Sequence, residues 1–165
     1  MEEKHKRRTN PFFEKMIRGS YVIVLRLDKK LRVKVGKLGE LLFDSGYYIY
    51  TGSALNGVEN RLRRHFTENK KVLWHIDYLT SVRKPEYAIT VPNERIECRL
   101  AGILSGLFKS VRGFGSSDCN CSSHLFYTEE NPENHIREIL RKNFNASSER
   151  LIYYTEKDLI SNNRW

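Results

Sequence analysis

Apolar positions change period along the chain, and the changes mark its elements. Tyr21 to Leu27 is rich in β-branched and apolar residues, which predicts a strand. Asp28, Lys29 and Lys30 read as a turn. Leu31, Val33 and Val35 then alternate with Arg32, Lys34 and Gly36, the period of a half-buried strand. Gly39 to Phe43 reads as a third short strand, and Asp44-Ser45-Gly46 turns the chain into a fourth over Tyr47 to Thr51. Together these pieces suggest an antiparallel meander.

The period then lengthens. Val58, Leu62 and Phe66 recur at i, i+4 and i+8, one apolar face of a helix. A second helix is expected over Trp74 to Val82. Tyr87 to Val91 returns to strand character. Glu94 to Phe108 carries the clearest helical signal, with Ile96, Leu100, Ile103 and Leu107 as one stripe. Gly113 to Ser117 breaks the pattern before a short strand at His124 to Tyr127. Pro132 to Phe144 reads as a helix with proline near its start. The fold class is therefore α+β, a small, mostly antiparallel sheet flanked by helices.

Length and composition narrow the possibilities. The 165 residues fit one domain with arms and suffice for a core without staples. The organisation expected is a basic N-terminal arm over 1–18, helical from Pro11, a main domain over 19–130, and a C-terminal helical extension over 131–165. An apolar share of 39% excludes wholesale disorder. The longest apolar run is about five residues, so neither a membrane span nor a secretory segment is expected. Three cysteines are too few for a disulfide framework and favour a reducing, cytoplasmic setting. Twenty-nine Lys and Arg against 20 Asp and Glu leave a net charge of +9, which favours a polyanionic partner, nucleic acid or an anionic surface.

Four clusters carry chemistry. In Gly46-Tyr47-Tyr48-Ile49-Tyr50-Thr51-Gly52, strand alternation puts Tyr48 and Tyr50 on one face and Tyr47 and Ile49 on the other. Ordinary strand packing accounts for such tyrosines, but the small residues Gly52-Ser53-Ala54 that follow would let a ligand approach the backbone. In the second cluster, Arg61 and His65 lie one turn apart beside the apolar stripe, aimed back toward the sheet, whereas Arg63 points elsewhere. An arginine there suits a phosphate; a basic run alone suits solvent equally. The third is Glu97, which begins its own apolar row with Leu100, Ala101, Leu104 and Phe108. A carboxylate on the core side of a helix needs a cation or a salt bridge, and spacing does not choose between them. Glu94 is an ordinary first-turn acid. The fourth is Cys119, Cys121 and His124, a C-x-C-x2-H spacing that is not among the strong zinc patterns. A loop held by polar side-chain hydrogen bonds is the plainer reading. Within Trp74-His75-Ile76-Asp77-Tyr78, His75 and Asp77 are two apart on a helix and do not face each other.

The string Gly46-Tyr-Tyr-Ile-Tyr-Thr-Gly-Ser-Ala54 with Arg61-Leu-Arg-Arg-His-Phe66 resembles the GIY-YIG nuclease superfamily. With Trp74-His-Ile-Asp-Tyr-Leu79, Glu97 and Gly113-Phe-Gly-Ser-Ser-Asp-Cys-Asn-Cys-x-x-His124, the chain is similar to its largely archaeal DUF123 branch, sometimes fused to endonuclease III-type DNA glycosylases. The resemblance covers Gly19 to Tyr127. It implies that Gly19-Ser20-Tyr21 and Tyr50-Thr51-Gly52 are the two tyrosine motifs, that Arg61 is the catalytic arginine and His65 the histidine one turn on, and that Glu97 binds one magnesium or manganese ion. The implied reaction is hydrolysis of a DNA phosphodiester, with a place in DNA repair. Tyr21 or Tyr50 would help deprotonate the attacking water. Ser53, Arg63, Arg64, Lys70 and Lys71 are the expected nucleic-acid contacts, and an endonuclease III-type glycosylase is an expected partner.

The chain departs from that pattern in places. The two tyrosine motifs are further apart than usual, which makes Asp28 to Phe43 an inserted hairpin. Ser20 and Thr51 replace the isoleucine of each motif, a minor change if those side chains only pack. Ser53 stands where some relatives have lysine. Two further readings remain open: a non-catalytic nucleic-acid-binding module on the same fold, and an interaction domain stabilised by zinc at Cys119, Cys121 and His124.

Overall fold

The computed structural model describes residues 17–146 and 149–160. Of the basic arm expected over 1–18, residues 1–16 lie outside the described residues. Eight strands and five α-helices are described: β1 (Gly19–Leu27), β2 (Leu31–Lys34), β3 (Glu40–Phe43), β4 (Gly46–Ala54), α1 (Val58–His65), α2 (His75–Thr80), β5 (Tyr87–Pro92), α3 (Glu97–Ser105), β6 (Lys109–Ser110), β7 (Leu125–Thr128), α4 (Glu133–Phe144), β8 (Ile152–Tyr154) and α5 (Glu156–Ile160).

Six strands form one antiparallel sheet in the order β6-β7-β4-β1-β5-β8. The expected meander does not form. β1 pairs directly with β4 and with β5, and β2 and β3 fold back on each other as a separate two-stranded sheet. The segment from Asp28 to Phe43 is thus an inserted hairpin. Its alternation stands, with Leu31 and Val33 half-buried and Arg32 and Lys34 exposed. A two-stranded hairpin is marginal alone; this one is pinned by Val35 and Phe43, both buried in the main core.

Strand β1 is buried along nearly its whole length because both faces of the sheet are covered. Tyr21, Ile23 and Leu25 face one core with Tyr48, Leu62, Phe66, Ile76 and Phe114. Val22 and Val24 face a second core with Ile49, Leu100, Leu104, Ile136 and Leu140. The alternation in β4 holds: Tyr48 and Tyr50 belong to the first core, Tyr47 and Ile49 to the second. Gly19 is required by close packing, since a Cβ there would sit 2.3 Å from the Val91 carbonyl oxygen.

Helix α3 is shorter than its periodicity suggests. It starts at Glu97 because the chain turns at Asn93, in the left-handed region at φ 64°, and because the Ile96 amide donates to the Ser20 hydroxyl. It ends at Gly106. Leu107 is therefore exposed, and the buried face is the row that Glu97 begins: Leu100, Ala101 and Leu104. The second helix spans only His75 to Thr80. The segment from 131 onward holds α4 and α5 and also β8, which joins the main sheet beside β5. Among the described residues, no helix is long and apolar enough to cross a membrane.

Candidate active site

A cleft of about 560 Å³ opens on the first face of the sheet, where β1, β4, α1, the start of α2, the start of α3 and the loop before β7 converge. Tyr21, Tyr50, Ser53, Arg61, His65, Glu97, Cys119 and His124 all line it, as do Trp74, His75, Cys98 and Asp118.

Register places the tyrosines. Tyr21 lies opposite Gly52 in the β1–β4 ladder, and Tyr50 precedes Gly52 by two residues on the same face. Gly52 does not make room for a ligand, as its sequence setting suggested. A Cβ there would lie 2.5 Å from the Tyr21 hydroxyl oxygen, so the missing side chain is the space that Tyr21 fills. On α1, Val58, Leu62 and Phe66 anchor the helix in the core, and the adjacent Arg61 and His65 turn toward the sheet. His65 Nε2 lies 2.7 Å from Tyr21 Oη, a fully buried contact, while its Nδ1 has no hydrogen-bond partner.

Electrostatics differ sharply between these groups. Burial pulls His65 down to about 3, with nearby Lys70 adding to the effect, so the imidazole is neutral at physiological pH. Burial pushes Tyr21 up to about 12, against the lowering influence of Arg61. Tyr50 is raised further, again by burial first and then by Tyr21.

Arg61 is held from two sides. Nη1 donates to the Ser53 carbonyl at 3.3 Å, and the guanidinium lies 4.4 Å from the centroid of the Trp74 ring, a cation–π contact. Arg64 lies over the same ring at 4.9 Å. Trp74 itself is fixed through Asp77, whose Oδ2 accepts the Leu73 amide at 2.8 Å, the Trp74 amide at 3.0 Å and Arg64 Nη2 at 2.5 Å. Burial alone would raise the Asp77 carboxyl, but the two backbone donors and Arg64 outweigh it and hold the group below its usual range. His75 faces away from Asp77: its Nδ1 accepts the Gly115 amide at 2.9 Å.

Glu97 reaches the cleft from the first turn of α3. Oε1 pairs with the exposed Arg95 at 3.1 Å, and Oε2 is buried without a partner. Glu94 lies outside the helix and pairs with Arg150. Ser20 and Thr51 do more than pack. Ser20 Oγ donates to the Glu94 carbonyl and accepts the Ile96 amide, both at 2.7 Å, which fixes the turn that carries Glu97. Thr51 Oγ1 lies 2.8 Å from His124 Nδ1.

The expected nucleic-acid contacts divide. Ser53 lines the cleft and Lys71 is exposed. Arg63 is turned toward α5, its Nε donating to the Leu159 carbonyl. Arg64 is taken up by Asp77. Lys70 donates to the Arg64 carbonyl and to Thr80 Oγ1, closing the C-terminal end of α1.

Sequence reasoning grouped Cys119, Cys121 and His124 but missed Cys98. One ligand atom from each of these four residues lies within 4.8 Å of all the others. The signal available was the cysteine count: all three cysteines of the chain meet here, one from more than twenty residues upstream. It missed Trp74 as the platform for Arg61 as well, because no spacing rule pairs them.

Comparisons with known proteins bear on the same segment. Neither the curated proteins nor the solved structures provide a match. A family model does, that of the domain of unknown function DUF123, and it matches residues 20–145, from the first tyrosine strand through the Glu97 helix and the cysteine loop to the end of α4. With three quarters of its length under that match, the chain belongs to the DUF123 family.

Proposed function

We propose that this protein is a divalent-cation-dependent endonuclease that hydrolyses DNA phosphodiesters at the cleft between β1, β4, α1 and α3. One observation carries the reading: Tyr21, Tyr50, Arg61, His65 and Glu97, distant in sequence, line a single cleft of about 560 Å³. Their match to the tyrosine, arginine and glutamate positions of the GIY-YIG resemblance supports the same chemistry, as does the net charge of +9.

Each side chain has a part in that reading. Arg61 is pre-oriented by Trp74 and the Ser53 carbonyl, and its guanidinium offers a phosphate several N–H donors in fixed geometry. Charge that grows on the phosphoryl oxygens is stabilised by a donor already in place. Tyr21 is a candidate base, its hydroxyl fixed by His65 at 2.7 Å. The neutral imidazole positions the Tyr21 hydroxyl rather than relaying its proton, since the far ring nitrogen, Nδ1, is buried without a partner. Burial by itself keeps Tyr21 protonated, so it acts only when added positive charge lowers it.

Glu97 fits a cation. A buried carboxylate oxygen with no donor is unfavourable, and its second oxygen meets only a surface arginine. Glu97 would hold one magnesium or manganese ion, which when bound supplies charge to the phosphate and its leaving oxygen. By the same resemblance the substrate is DNA met in repair.

The test is nicking of supercoiled plasmid with magnesium or manganese. Arg61→Ala and Glu97→Ala abolish cleavage while circular dichroism and thermal midpoint stay close to the parent. Cleavage at the parental rate by both variants overturns the site. Salt-dependent DNA binding without cleavage under any divalent ion replaces the reading with a binding module.

A further inference from the structure

One wall of the cleft holds a cluster that the proposed phosphodiester hydrolysis does not use. Cys98 sits on the first turn of α3, Cys119 and Cys121 on the loop between β6 and β7, and His124 just before β7. All three cysteines are free thiols. His124 Nε2 lies 3.3 Å from Cys119 Sγ and 3.9 Å from Cys98 Sγ. A tetrahedral zinc, with bonds of about 2.3 Å to sulfur and about 2.0 Å to nitrogen, sets its ligand atoms about 3.5–3.8 Å apart. The observed separations bracket that spacing.

The imidazole is prepared for the same role. His124 Nδ1 faces Thr51 Oγ1 at 2.8 Å, and the Thr51 amide donates to the His124 carbonyl at 3.0 Å. With its N–H on Nδ1, the ring turns the Nε2 lone pair toward the thiols, the usual support for a metal-binding histidine. Three sulfurs and one nitrogen are soft donors that select zinc over magnesium or calcium.

The loop itself needs such a tie. Phe114 anchors one end in the core, fully buried, and the Gly113 amide donates to the Ser122 carbonyl to close the base. Between them, residues 115–122 are Gly, Ser, Ser, Asp, Cys, Asn, Cys and Ser, with no large apolar side chain to bury. Only long sulfur contacts join them to α3, such as Cys121 Sγ to the Cys98 carbonyl at 3.9 Å.

We infer that Cys98, Cys119, Cys121 and His124 bind one zinc ion in a closed structural site that fastens the 113–124 loop to the start of α3. Four protein ligands fill the tetrahedron and leave no position for a reactive water, so this ion is distinct from a hydrolytic cation on Glu97. Binding converts three thiols to thiolates and releases three protons to solvent. The clamp reaches the cleft by two routes. Cys98 follows Glu97 directly in the chain, and His124 is bonded to Thr51, the neighbour of Tyr50.

The experiment is metal analysis of the full chain purified in reducing, chelator-free buffer. One zinc per chain is expected, released in step with thiol modification, and cobalt substitution gives the visible bands of a tetrahedral thiolate site. Chelation lowers the thermal midpoint, and zinc alone restores it. A Cys98→Ala, Cys121→Ala double variant loses the zinc, whereas Glu97→Ala keeps it whatever happens to DNA cleavage; that contrast separates this site from the proposed hydrolytic one. A chain that stays substoichiometric after zinc reconstitution, holds iron instead, or keeps its zinc in the double variant overturns the assignment.

Discussion

Asp77→Asn tests the support beneath the cleft. Asp77 is fully buried, and its Oδ2 collects Arg64 and the backbone amides of Leu73 and Trp74. Asparagine keeps an oxygen for the two amides. It removes the charge that Arg64 faces and places an amide NH2 where Oδ1 now has no partner. Breaking a buried ion pair from one side costs about 3–5 kcal/mol. Arg64 keeps 22% of its side chain exposed and can recover some hydration, which puts the expectation near the lower end, about 3 kcal/mol. For a chain of this length that corresponds to a fall in thermal midpoint of about 6–12 °C. The pH dependence has a definite sign. The native carboxyl titrates below its usual value, so the stabilisation is complete above the unfolded value near 4 and fades as pH falls through the native one. Urea denaturation of parent and variant, followed by circular dichroism from pH 8 to pH 3, reads both. A deficit below about 1 kcal/mol at pH 7, or a gap already closed at pH 6, would refute a charged, load-sharing Asp77.

His65, pulled down to about 3, must stay neutral in the fold while the unfolded chain takes up a proton near 6.5. Stability is therefore complete above pH 6.5 and declines as pH falls toward 3; the urea midpoint drops between pH 7 and pH 5, and His65→Gln flattens that slope, an unchanged slope sinking the idea. Gly52→Ala places a Cβ 2.5 Å from the Tyr21 hydroxyl oxygen, with Tyr21 too buried to move aside. The expected loss is about 1–3 kcal/mol of stability, and any plasmid nicking falls by about 10²-fold as the Tyr21–His65 contact shifts; a variant of parental stability would show that the ladder has slack.

Local pattern carried much of this protein. Although the inserted hairpin is implied by the resemblance and β8 goes unread, the identity of most strands and helices up to α4, the inward face shared by Tyr48 and Tyr50, and the one-turn pairing of Arg61 with His65 follow from periods of two and of three to four residues. These are properties of neighbours in sequence, and short-range geometry is the same in any fold. What the chain could not announce is which distant residues meet. The pairing of β1 with β4 rather than β2 is settled by two cores that must close on both faces of one sheet. That pairing puts Tyr21 over Gly52, while the pairing of β4 with β7 brings Thr51 against His124 and that of β1 with β5 sets Ser20 under the turn that carries Glu97. Cys98 joins Cys119 and Cys121, and Trp74 slides beneath Arg61, only because helices α2 and α3 dock on opposite faces of strands read far from them. Such contacts depend on the register of whole elements, which no window of consecutive residues contains.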